Sequence, residues 1–159
     1  MAKTVAIGIQ DFGDLIRKKC FYVDKTNFIK EWWESLDSVT LISRPRRFGK
    51  TLNMSMLEQF FSIDYAGQGD VFEGLSIWKE EEFRKLQGTY PVISLSFANV
   101  KETNFNSARE KICQLLTNLY AKYSFLRDSK FLTEKDREYF YLLCPFFLTS
   151  TAFVDTNAN

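Results

Sequence analysis

Apolar residues recur along this chain at two spacings, and the change from one to the other marks its elements. Val39–Ile42 and Val92–Phe97 are short apolar runs with β-branched residues, each introduced by turn-forming positions, and they predict two strands. Helical spacing appears between them. Phe28, Ile29, Trp32, Trp33 and Leu36 share a broad face behind Asp24, which reads as the N-cap of a helix reaching Leu36, with the tryptophans in the core. Leu52, Asn53, Met56, Leu57, Phe60 and Phe61 predict a helix from Lys50 to about Ser62 whose Met/Phe stripe is core. Asp64–Gly74 reads as a loop and Lys79–Leu86 as a short exposed helix. The longest helix is predicted over Asn104–Leu126, with Ser107 and Glu110 spaced for a capping box. Another follows from Thr133 to Leu143, capped by Thr133. Phe146–Val154 is a candidate strand and Asp155–Asn159 a loose end. Two strands joined through a long helical segment predict a parallel pair with a crossover, the βαβ arrangement of an α/β fold.

Composition narrows this picture. With 45% apolar residues and 16 phenylalanines in 159 residues, the chain has enough apolar surface for one globular domain. Its acids and bases nearly cancel to a net charge of +1, so binding to nucleic acid would have to be local. The absence of histidine excludes mechanisms that need an imidazole base, including Ser-His-Asp and Cys-His hydrolysis. Cys20, Cys113 and Cys144 lie far apart without C-x-x-C spacing, which argues against a zinc site and for reduced thiols in a cytoplasmic protein. No stretch has the length of a secretory h-region or a membrane span.

The chemistry concentrates between Ser38 and Met54. An apolar strand, a Pro/Arg/Gly turn and a helix follow one another there, the order a phosphate-binding loop requires. Gly49 lets the backbone approach a phosphate and Lys50 offers a point charge. The Thr51 hydroxyl can ligate Mg²⁺, and the following helix aims its amides at the anion. The pattern departs from G-x-x-x-x-G-K-[ST] at its first position, where Arg44 stands in place of glycine. Arg44 resists positive φ, so the loop must begin differently, with Pro45 fixing the backbone. The plain alternative is a basic surface turn that contains Gly-Lys-Thr by chance.

Four segments then resemble, in order and spacing, the bacterial AAA-ATPase-like family: Ile7–Phe12, Tyr22–Thr26, Ser43–Leu57 and Tyr90–Phe97. In that family a P-loop-type domain often precedes a PD-(D/E)XK nuclease-like domain. The resemblance implies a P-loop NTPase-like parallel sheet flanked by helices over residues 1–145, here an incomplete domain, with residues 146–159 as a separate tail. It implies ATP and Mg²⁺ as cofactors. The loop residues Arg44, Pro45, Arg46, Arg47, Phe48, Gly49, Lys50 and Thr51 would form the binding site, Thr51 would be the magnesium ligand, and Tyr22 and Asp24 would lie toward the adenine. The family normally continues into an apolar strand ending in Asp-Glu. Phe153–Asp155 is the nearest candidate in this chain and a poor one, so weak or no hydrolysis by this chain alone is expected, and no nuclease activity is carried over from the family.

Three readings compete. The first is an ATP-binding domain of AAA-ATPase-like type. The second is a binding module in which Arg44, Arg46 and Arg47 contact nucleic-acid phosphates or a protein partner without nucleotide turnover. A P-loop kinase is the weakest, because no lid arginines can be identified.

Overall fold

Helices and turns, not strands, build the described chain. The computed structural model describes residues 4, 5, 7–45 and 47–139, and among those residues no strand ladder forms, so the expected parallel sheet is not there. Neither expected run is a named strand among the described residues, and Val39, Leu41 and Ile93 are exposed by 85%, 86% and 64%. Apolar, β-branched composition suits an extended backbone, but a ladder forms only where a second backbone presents its N–H and C=O groups. The backbone leading into the second run is engaged elsewhere. Gly88 and Tyr90 donate their N–H groups to the Phe60 and Phe61 carbonyls at 2.8 and 2.9 Å, and the Tyr90 carbonyl accepts from Ile63 N–H at 2.8 Å. These contacts satisfy the last carbonyls of a helix and leave a single isolated parallel bridge, Ser62 to Tyr90.

The described residues fall into two compact units, divided between Ser94 and Leu95. The first contains α1 (Phe12–Arg17), α2 (Asn27–Ser35), α3 (Lys50–Phe61) and α4 (Glu81–Leu86), with 3₁₀ turns at Ile63–Tyr65, Gly69–Phe72 and Ser76–Lys79. Sequence periodicity misses α1 because six residues are too few to show a period. Asp11 caps it by accepting the Asp14 N–H at 2.7 Å. Helix α2 starts later than expected, with Thr26 at its N-cap. The stretch expected to be a loop after α3 instead winds into two 3₁₀ turns.

The core of this unit comprises Phe12, Ile29, Met56, Phe60, Phe61, Val71, Phe72, Ile77 and Phe83. Phe72 stacks on Phe12 with centroids 5.2 Å apart and meets the edge of Phe60 at 5.1 Å. Each fully buried side chain of this size stabilises the fold by about 1.5–3 kcal/mol relative to exposure. Trp33 is half-buried and stacks on Phe61 at 5.3 Å, which agrees with a packing role for the tryptophans.

The second unit contains α5 (Phe105–Lys122), a 3₁₀ turn at Ser124–Asp128 and a helical stretch over 134–139. The expected Ser107/Glu110 box does not open α5. The Asn104 side chain caps it one turn earlier, accepting the Ser107 N–H at 2.8 Å. Thr133 does cap the last stretch, exchanging hydrogen bonds with Asp136. The expected end of that helix at Leu143, Cys144, and the candidate strand and tail at 146–159 lie outside the described residues.

Candidate functional site

The loop between α2 and α3 ends in a left-handed turn. Gly49 is the N-cap of α3 at φ +74°, a backbone that a side chain would strain, and a Cβ built there would meet nothing within 4 Å. The space above it is open. No side chain caps this helix, whose first internal bond is Asn53 N–H to Gly49 O at 2.9 Å. The amides of Lys50, Thr51 and Leu52 precede that bond and point out of the helix end, where the helix dipole is positive.

Arg44 keeps a negative φ, as its Cβ demands. The additional left-handed residue is Arg47 at φ +69°, three positions later. The Lys50 ammonium folds back across the loop and donates to the Arg44 carbonyl at 2.5 Å. Arg44, Pro45, Arg47 and Phe48 are exposed, as is Thr51, whereas Gly49 and Lys50 are half-buried. Arg46 lies outside the described residues. A flexible cation, an unbonded hydroxyl and three free amides thus meet at one helix end, a combination suited to an oxyanion.

What fixes α3 in place is a set of contacts the sequence did not single out. Ser55 Oγ accepts the Phe12 N–H at 3.0 Å, and the Gln59 amide donates to Asp11 Oδ2 at 2.7 Å and to Ser55 Oγ at 3.2 Å. Gly13 permits this docking, because a Cβ there would lie 2.7 Å from Gln59 Oε1. The Asp11-Phe-Gly13 part of the chain therefore clamps α1 to α3. The signal available in sequence was polar Ser55 and Gln59 one turn apart on a helix otherwise read for its apolar stripe.

Tyr22 and Asp24 are held within the fold. The Tyr22 hydroxyl donates to Met56 Sδ at 3.5 Å and accepts the Lys25 N–H at 3.2 Å. Burial raises its pKa above the ordinary phenol value, the Lys25 N–H opposes that, and the nearby Asp24 charge adds to it. Met56 sits six residues along α3 from Lys50, about 9 Å of helix rise. Asp24 accepts the Thr26 N–H and hydroxyl on one oxygen (2.9 and 2.7 Å) and the Ser76 N–H and hydroxyl on the other (2.7 Å each). Partial burial pushes its carboxyl upward, but these bonds outweigh it and hold the pKa below the usual carboxylate value. Thr26 Oγ1 in turn accepts the Ile77 N–H at 3.1 Å, so Asp24 ties the start of α2 to the Ser76–Lys79 turn.

Among the described residues no group of three His, Cys, Asp or Glu side chains is placed to hold a metal ion. Mg²⁺ at this helix end would rely on the Thr51 hydroxyl and on oxygens brought by the ligand itself, which suits a hard cation that keeps several waters. Nor is any helix of the described residues long and apolar enough to cross a membrane.

A sequence model of the family described as "Predicted AAA-ATPase" matches residues 6–145. A protein from Azotobacter chroococcum mcd 1 described as "Uncharacterized protein in vnfD 5'region" is 33% identical over 116 residues. That alignment takes in 72% of this chain and 21% of the relative, so the chain spans about a fifth of the relative's length. No solved structure matches.

Proposed function

The chain belongs to the AAA-ATPase-like family, and from that premise we propose that it binds the triphosphate of ATP with Mg²⁺ at the N-terminus of α3 and turns it over slowly if at all. The observation that carries this reading is the uncapped end of α3, where three free amides converge with Lys50 and Thr51 beside the open space above Gly49. Lys50 supplies the mobile charge. It would turn from the Arg44 carbonyl to the outer phosphates, and the Thr51 hydroxyl would hold Mg²⁺. Bound Mg²⁺ neutralises phosphate charge; this chain's own groups bind and orient. Tyr22 and Asp24 support the site through the packing of α2 and α3 rather than through a free polar group, since their oxygens are already engaged.

A second reading rests on the exposed arginines. Arg44 and Arg47, with Arg46 between them in sequence, form a basic stretch that suits phosphates of a nucleic acid or an acidic protein surface. Competition separates the two. A fluorescent ATP analogue bound in the presence of Mg²⁺ is titrated with unlabelled Mg·ATP and, separately, with a single-stranded oligonucleotide at several salt concentrations. The nucleotide reading expects displacement by Mg·ATP with a shallow salt dependence. Displacement by the oligonucleotide alone, falling steeply with salt, would replace it with the basic-module reading.

A further inference from the structure

Phe48 stands between Arg47 at φ +69° and Gly49 at φ +74°, two left-handed residues that turn the backbone sharply just before the first turn of α3. Its side chain is 60% exposed and is not among those that pack on the core. A single exposed apolar residue is ordinary at a protein surface and carries nothing by itself. Position is what sets Phe48 apart. It lies two residues before Lys50, so the two Cα atoms are within about 7 Å of each other. Its neighbour Gly49 borders open space.

A triphosphate held at this helix end leaves the rest of the nucleotide to find a contact of its own. Tyr22 and Asp24, which the family resemblance sets toward the adenine, have their oxygens engaged by Lys25, Met56, Thr26 and Ser76, so they offer a base no free polar group. Apolar groups are what the helix end does offer. Met54 is 54% exposed and follows Lys50 by four residues and Thr51 by three, which places it on their face of α3. Phe48 precedes Thr51 by three residues and Met54 follows it by three. A flat heterocycle stacks on an aromatic ring or lies against a thioether, and neither group carries a strong donor or acceptor to read its edge.

We propose that Phe48 is the base-contacting residue of the phosphate site, its ring stacking on the heterocycle of a bound nucleoside triphosphate, and that the site therefore accepts ATP and GTP alike. The inference rests on the nucleotide reading above and sharpens it. Lys50, Thr51 and the helix amides hold the triphosphate, and the base is held by the face of a ring, a contact that tolerates any base because every base has a π-face.

Calorimetry with Mg·ATP, Mg·GTP and magnesium tripolyphosphate on wild type, Phe48→Ala and Phe48→Trp tests it. Phe48 is exposed, so both variants are expected to melt with wild type. Tripolyphosphate presents the anion without a base and isolates the phosphate contacts. Wild type is expected to bind the two nucleotides with similar affinity. Phe48→Ala is expected to weaken both by about 5- to 100-fold, the worth of one base–aromatic stack, and to leave tripolyphosphate unchanged. Phe48→Trp, which keeps a stacking surface, is expected to bind as wild type does. An equal loss for tripolyphosphate and the nucleotides, no loss for any of them, or a wild type that binds one nucleotide far more tightly than the other overturns the inference while the nucleotide reading stands. A wild type that binds neither nucleotide removes both.

Discussion

The Lys50 ammonium donates to the Arg44 carbonyl at 2.5 Å, so the residue that opens α3 grips the start of the loop that leads to it. The contact spans six residues and closes the loop. A lysine held by one neutral carbonyl at a half-exposed position remains available to a stronger acceptor, because hydrogen bonds to charged oxygens are roughly twice as strong as neutral ones.

Arg47 should be more useful to binding than to stability. Its φ of +69° costs a non-glycine residue about 1 kcal/mol. Arg47→Gly is thus expected to leave the melting temperature unchanged or raise it by a few degrees while weakening Mg·ATP binding. A clear fall in melting temperature with unchanged affinity would assign Arg47 to the fold instead.

Legibility from sequence varied with how local each feature was. Helix α3 was predicted almost to its ends, because a run of apolar positions at helical spacing follows a glycine that can end a loop in the left-handed region. The strands were misjudged for the opposite reason. Val39–Ile42 and Val92–Phe97 have strand-like composition, but pairing depends on a distant backbone, and the one before the second run is engaged by the carbonyls that end α3. In the site, Lys50 and Thr51 were visible as a motif, and Arg44 could be foreseen to avoid positive φ. The positive φ at Arg47 could not, nor could the Asp24 bonds to Ser76, which join residues 52 positions apart.

Asp24 should make acid stability depend on its charge. Its carboxyl is held below the ordinary value, so its contribution is fully present above the unfolded pKa, near 4, and is lost as pH falls through the lower folded value. Asp24→Asn is expected to destabilise the protein by about 1–2 kcal/mol at pH 7, reflecting weakened bonds at a partly exposed site. The gap to wild type should close as pH is lowered below about 4. Chemical denaturation at pH 7, 5 and 3.5 measures this; a gap that stays constant or widens toward acid would contradict it.

Turnover should be slow. Phosphoryl transfer needs a group to hold Mg²⁺ from the far side and another to orient water. The run Val92–Phe97 continues into Ala98 and Asn99 without a carboxylate. A phosphate-release assay with Lys50→Ala as the background control is expected to show wild type near that background. Ordinary ATPase rates abolished by Lys50→Ala would instead require an acid such as Asp64, Asp70 or Asp155 at the metal.

The central claim is that the α3 end with Lys50 is where a nucleoside triphosphate binds, and isothermal calorimetry of Mg·ATP on wild type and Lys50→Ala tests it most directly. A charge-assisted contact is worth about 1.5–3 kcal/mol, so Lys50→Ala should bind roughly 10- to 100-fold more weakly at an unchanged melting temperature. Equal affinities for the two proteins would place the nucleotide elsewhere and contradict the account.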